Sequence, residues 1–249
     1  MENDDSPVGQ ILSRRDALKL LGLTGAALLA ACTPGQLTST PGATSVPTTS
    51  ATGVGGLPAC VVRPEETEGP YYVDEDLDRS DIRSDPSTGE VKEGVPLVLT
   101  FNVSQVSNGG CTPLEGAEVE IWHCDAAGVY SDVSDPGFNT QGQKFLRGSQ
   151  VTDANGQATF TTIYPGWYSG RTVHIHFKVH PSANKVFTSQ LFFDDALSDQ
   201  VFANEPYASK GQRDMLNSSD RIFSDQLLLN VTQANEGYAA IFDIGVDAS

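Results

Sequence analysis

Positive charge is scarce in this chain: Lys and Arg total 15 against 32 Asp and Glu, a formal charge of -17. An anionic surface repels phosphate backbones instead of releasing their counterions, which argues against a nucleic-acid partner. Histidine is scarcer still, with four in 249 residues, so a centre built from three or more imidazoles would have to draw on nearly all of them. No internal repeat is evident. Long helical periodicity is also missing: only Asp195 to Met215 could hold a helix of useful length, and Pro206 interrupts it. The one N-terminal apolar run is too short for a comfortable membrane span.

What is present at the N-terminus reads as an export segment. Ser13-Arg14-Arg15 followed by Ala17-Leu18-Lys19-Leu20-Leu21-Gly22 matches a twin-arginine signal. Leu29-Ala30-Ala31-Cys32 resembles the lipobox at which bacterial lipoproteins are cut and acylated on cysteine. The expectation is an exported protein whose only membrane association is a lipid on Cys32, either on the outer face of the cytoplasmic membrane or released. Residues 1–32 are then signal, and 33–57, rich in Thr, Ser, Pro, Gly and Ala, are a flexible tether. Residues 58–249 form the folded domain. In an oxidising compartment Cys60, Cys111 and Cys124 cannot all pair. Cys111 and Cys124 flank one expected strand, which favours that pair and leaves Cys60 open.

Beyond the tether, Glu65 to Tyr72 and the acidic stretch Asp74 to Asp85 carry turn residues without a helical period and read as an ordered, irregular arm. Short β-rich runs follow: Pro96 to Val103, Ala117 to His123, Gln157 to Thr162, Val173 to Val179, Val186 to Phe193, Gln226 to Val231 and Tyr238 to Ile244. Most are bounded by turn signals such as Asp153-Ala154-Asn155-Gly156. The expected fold is all-β, an antiparallel β-sandwich with little helix.

The segment Arg171-Thr172-Val173-His174-Ile175-His176-Phe177-Lys178-Val179 carries the strongest chemical signal. In a strand His174 and His176 share one face, roughly 6.6 Å apart between Cα atoms, while Val173, Ile175, Phe177 and Val179 face the core. Two imidazoles at that spacing can reach one metal ion, although His-x-His by itself also describes two half-exposed histidines on a solvent face. His180 has the same parity but lies about 13 Å beyond His176. Oxygen donors are therefore the better source of further ligands, and Tyr130 and Tyr168 stand in loops beside these strands, with Tyr164, near Tyr168, read more simply as a packing aromatic.

The order Trp122, Asp125, Gly128, Tyr130, Thr152-Asp153, Gly156, Phe160, Thr162-Ile163, Pro165-Gly166, Tyr168, Arg171 and His174-Ile175-His176-Phe177 resembles the catalytic domain of intradiol ring-cleavage dioxygenases. This is the family of catechol and protocatechuate dioxygenases, and the likeness runs from about Thr67 to Phe193. It implies Fe(III) held by Tyr130, Tyr168, His174, His176 and a hydroxide. It further implies a catechol-type aromatic substrate, O2 as co-substrate, and cleavage to a cis,cis-muconate-type dicarboxylic acid. Tyr168, Arg171 and Gln190 take catalytic roles by the same resemblance: a phenolate to accept a substrate proton, a cation to stabilise charge on the ring, and a pocket amide. The loop between Tyr168 and Arg171 is shorter than in protocatechuate enzymes, so the ring substituents of the substrate do not carry across. Two competing readings are a secreted sandwich module that binds polysaccharide or lignin fragments without catalysis, and zinc or copper on the same four ligands.

Overall fold

The computed structural model describes residues 61–107 and 110–248; the expected signal, tether, Cys32 and Cys60 lie outside them. Among the described residues eleven strands and one α-helix are arranged, in chain order, as β1 (Pro96–Ser107), β2 (Gly110–Pro113), β3 (Glu118–Trp122), β4 (Ser134–Asp135), β5 (Phe138–Asn139), β6 (Arg147–Val151), β7 (Gln157–Ile163), β8 (His174–Ser182), β9 (Lys185–Phe192), α1 (Asp195–Phe202), β10 (Val231–Gln233) and β11 (Tyr238–Val246). One sheet runs β10-β11-β1, with β7 and β2 sharing the far edge of the long β1. The other has the order β6-β3-β8-β9, and β4-β5 is a small separate hairpin.

Strict alternation makes β1 the central strand of the first sheet. Leu97, Leu99, Phe101 and Val103 turn inward and are 0–1% exposed, while Val98, Thr100 and Asn102 turn out. Across the core they meet Val119 and Ile121 of β3 and Ile175, Phe177 and Val179 of β8. Phe101 is the hub, with ring centroids 5.3 Å from Phe177, 5.9 Å from Phe242 and 6.1 Å from Phe160. These tilted and edge-on contacts join the two sheets into a sandwich.

The all-β architecture agrees with the sequence expectation, with four differences. The pairing of β1 with β11 is parallel, so the first sheet is mixed. The expected strand Gln226 to Val231 is replaced by a 3-10 turn at Asp225–Leu227, where the Ser224 side chain accepts from the Gln226 amide; one isolated parallel bridge joins Leu228 to Phe192, and strand pairing begins at Val231. Leu227 and Leu229 are buried there as single anchors, without a run of ladder bonds. β6 was not expected, because Arg147-Gly148-Ser149-Gln150-Val151 shows no apolar alternation. Finally, the favoured Cys111–Cys124 pair does not form. Cys111 is disulfide-bonded, whereas Cys124 is a free thiol, 1% exposed, whose Sγ donates to the Gly166 carbonyl at 3.5 Å. The expected helical stretch survives only as α1, capped by the Asp194 side chain on the Leu197 amide and closed at Ala203, three residues ahead of Pro206.

Because Phe101 touches aromatic rings from both sheets, Phe101→Ala is expected to lower unfolding free energy by about 3–5 kcal/mol. Urea denaturation checks this; a loss below ~1 kcal/mol would contradict the hub role.

Candidate metal centre

Since Ile175, Phe177 and Val179 fill the core, the two-residue strand period turns His174 and His176 onto the outer face of the second sheet. That face is not open to solvent: the two histidines are 2% and 1% exposed. The arm expected between Glu65 and Tyr72 covers them. It is tied to β9 by Glu66 N–H donating to the Thr188 carbonyl at 3.0 Å, Ser189 Oγ to the Pro64 carbonyl at 2.8 Å, and Gln190 Nε2 to the Thr67 carbonyl at 2.9 Å. A Lys178–Glu68 ion pair at 2.6 Å fastens it to β8. Gly69, at φ +75°, lies so close that a Cβ would stand 3.0 Å from His176 Cε1, so only glycine suits both the turn and the contact.

The two phenols arrive on loops laced to each other. Asp125 Oδ1 accepts from the Ala127 and Val129 amides, both at 3.0 Å, and shapes the turn that delivers Tyr130. Gly128 (φ +80°) and Gly166 let this turn meet the Pro165–Trp167 segment, since a Cβ at either would clash with backbone oxygen at 2.1 and 2.4 Å. The sequence pattern from Asp125 to Tyr130 and from Pro165 to Tyr168 is thus a pair of mutually packed loops. Tyr130 is 1% exposed and stacks on Tyr71 with centroids 4.5 Å apart; Tyr168 is only partly buried.

The four side chains converge. His174 Nε2 lies 3.0 Å from His176 Nε2, 3.2 Å from Tyr168 Oη and 3.4 Å from Tyr130 Oη. His174 Nδ1 donates to the Thr172 carbonyl at 2.6 Å, and a carbonyl can only accept, so Nε2 presents its single lone pair to the cluster. One lone pair cannot satisfy three heteroatoms at hydrogen-bond distance. Two ligands held about 2.1 Å from one ion stand roughly 3.0–3.4 Å apart, so a single cation among the four atoms resolves the crowding. His176 is set by stacking: Trp122, directly opposite in register, lies on its ring at 5.0 Å and 7°, and His176 Nδ1 is buried without a hydrogen-bond partner.

Electrostatics points the same way. Burial, then the Arg171 charge, pushes His174 down to about 3, and burial, then His174, pushes His176 well down, so both imidazoles are neutral lone-pair donors. Burial pushes the Tyr130 and Tyr168 phenols well above the ordinary value, so they ionise only beside a strong positive charge. The Arg171 guanidinium acts on all four groups, favouring phenolate and disfavouring imidazolium. Among the described residues no three His, Cys, Asp or Glu side chains converge on a metal position; the donor set exists only when phenols are counted. Two hard anionic oxygens with two imidazoles fit a trivalent ion.

The other sequence candidates fall as follows. Gln190 stands opposite His176 on β9 and accepts from Arg171 Nη2 at 2.6 Å. Tyr164 is fully buried, packs on Phe193 at 4.4 Å and bonds Ser198 Oγ at 2.7 Å, away from the histidines. His180 faces Glu120 at 3.8 Å. His123 is buried between the Cys124 carbonyl and Thr162 Oγ1. A cavity of about 340 Å³ adjoins Trp122 on the same outer face; five carboxylates line it together with Arg147 and His180, and none of the four donors does. Sequence reasoning missed Asp220, which binds Arg171 Nε at 2.9 Å from 49 residues away, and the role of Trp122, which strand pairing alone reveals.

A family model described as Dioxygenase matches residues 67–247. The protocatechuate 3,4-dioxygenase beta chain of Burkholderia cepacia is 31% identical over 188 residues, which cover 70% of this chain and 75% of that protein. Catechol 1,2-dioxygenase of Candida albicans is 32% identical over 144 residues, 48% of this chain and 44% of that one; the chain thus spans under half the length of such catechol 1,2-dioxygenases. Among solved structures, an intradiol ring-cleavage dioxygenase from Tetranychus urticae superposes with a TM-score of 0.68 at 33% identity, over 76% of this chain and 96% of that one. The dioxygenase domain of a dioxygenase carbohydrate-binding protein fusion from Streptomyces sp. SirexAA-E gives 0.56 at 30%, over 76% and 99%.

His123 yields a pH prediction. Burial lowers it to about 4, below its unfolded value near 6.5, so its contribution to stability is full above pH 6.5 and is lost as pH falls toward 4. Urea unfolding should show up to about 1.4 kcal/mol per pH unit from this group in that window. His123→Gln should reduce the slope there by up to that amount, leaving the part due to His174 and His176, and an unchanged slope would contradict the assignment.

Proposed function

This chain belongs to the intradiol ring-cleavage dioxygenases, a family of oxidoreductases, and from that premise we propose that it uses Fe(III) and O2 to split a catechol-type aromatic between its two hydroxyl-bearing carbons, giving a cis,cis-muconate-type diacid. The observation that carries this reading is the convergence of two phenol oxygens and two imidazole nitrogens within 3.0–3.4 Å of His174 Nε2.

Tyr130, Tyr168, His174 and His176 are the residues that would hold the iron, and the chemistry it supplies when bound is Lewis-acid activation of the substrate's ring toward oxygen. The chain's own groups do the rest. Tyr130, locked beneath Tyr71 and fully buried, is the fixed phenolate. Tyr168, partly exposed on its loop, is the phenolate free to move and to take a hydroxyl proton from the substrate at Oη. Arg171 keeps a permanent cation where negative charge grows on the ring, and Gln190 fixes one end of its guanidinium. Trp122, Gly69 and Tyr71 close the cluster to water and strengthen each of these interactions.

The export segment around Arg14 and Arg15 and the lipobox-like Cys32 support a reaction that runs outside the cytoplasm, on a lipid-anchored or released protein. The disulfide at Cys111 agrees with such an oxidising compartment.

Protein matured in its own host should contain one iron per chain and be red to purple from phenolate-to-iron charge transfer. An oxygen electrode with catechol, protocatechuate and hydroxyquinol, followed by product identification, tests turnover. Tyr168→Phe should lower oxygen uptake at least ~100-fold with the fold intact. Colourless protein without iron, zinc or copper in its place, or full activity in the variant, would overturn the proposal.

A further inference from the structure

Arg171 is a long side chain that follows Gly170, a residue at φ +87°, so nothing in its local backbone aims the guanidinium. Two contacts do. Nη2 donates to Gln190 Oε1 at 2.6 Å, and Nε donates to Asp220 Oδ2 at 2.9 Å. Gln190 is itself anchored to the Thr67 carbonyl. Asp220, with its side chain 2% exposed, is held from more sides.

The Asp220 carboxylate accepts three N–H groups. Besides Arg171 Nε, Oδ2 takes the Thr172 amide at 2.9 Å, and Oδ1 takes the Ile222 amide at 2.8 Å. The Thr172 carbonyl is the acceptor for His174 Nδ1, so the residue whose amide Asp220 binds also sets the tautomer of His174. Asn217 reinforces the same point from the same segment. It accepts from Thr172 Oγ1 at 2.6 Å and donates to the Phe193 carbonyl at 2.8 Å.

We propose that Asp220 is a positioning residue of this centre: held in place by the Thr172 and Ile222 amides, it aims the Arg171 guanidinium toward the four donor atoms through Nε. The catalytic part of this inference rests on the ring-cleavage reading; the positioning geometry does not.

Asp220→Ala and Asp220→Asn, alone and combined with Arg171→Ala, separate the alternatives. In iron-loaded protein D220A should lower kcat roughly 10–100-fold with KM nearly unchanged, while iron content and the phenolate absorption band of the resting protein stay as they were. D220N keeps one acceptor oxygen, enough for Arg171 and Thr172 but not also for Ile222, and should lose less. The R171A/D220A double variant should be no slower than R171A, because Asp220 acts through Arg171. In the full chain labelled with 15N-arginine, before iron is loaded, the Arg171 Nε–H should exchange at least ~10-fold faster in D220A than in the unmodified protein. Should D220A not fold, D220N serves the same comparisons. Unchanged exchange, or losses that multiply in the double variant, would overturn the positioning role. Absence of oxygen uptake in the unmodified, iron-loaded chain would instead overturn the ring-cleavage reading, and with it the catalytic part.

Discussion

The His174 Nε2 lone pair faces three heteroatoms at 3.0–3.4 Å in a region closed to water, and hydrogen bonding can satisfy only one of them. The surrounding architecture is organised around this crowding. Burial keeps all four donors neutral on their own, while a cation between them would turn the same desolvation into an advantage, since charge interactions strengthen as water is excluded. The centre therefore selects for a strongly positive ion with some affinity for hard oxygen.

Shielding comes from outside the sandwich proper. In a simple antiparallel sandwich the outer face of β8 would meet solvent, and His174 and His176 would be ordinary surface residues. The arm from Pro64 to Tyr72 changes that by pairing with β9 at Thr188, bonding Gln190 and Ser189, and pressing Gly69 against His176. Tyr71 and Tyr72 then extend an aromatic layer over Tyr130 and Trp122. Rigidity of the sheet below and coverage by the arm above together hold the donors in register, as a catalytic constellation requires.

Much of this was legible beforehand, and unevenly so. The inward alternation of β1 and β8 is written in Leu97, Leu99, Phe101 and Val103 and in Ile175, Phe177 and Val179, and the structure places all seven in the core. β6 was illegible because its residues Gly148 and Ser149 serve close approach to the arm instead of core filling: a Cβ on Gly148 would meet Ile82 at 2.7 Å. The region from Gln226 to Val231 misled in the opposite direction, since Leu227 and Leu229 are apolar for local anchoring, without a ladder. The cysteines misled too: Cys124 is a small buried thiol in the layer with Trp122 and Tyr130, and flanking one strand says nothing about whether two side chains meet.

The amino-acid sequence by itself determined which groups could do chemistry: two imidazoles on one face of a strand, two loop tyrosines, an arginine three positions before His174, and a strongly acidic balance of charge. Those properties follow from side-chain type and from backbone periods that span only a few residues. Only the tertiary structure decided that the phenols meet the imidazoles, that Trp122 stacks on His176, that the arm excludes water, and that Asp220 takes hold of Arg171 across 49 residues. Such contacts depend on how distant segments close on one another, and no local period in the chain encodes that closure.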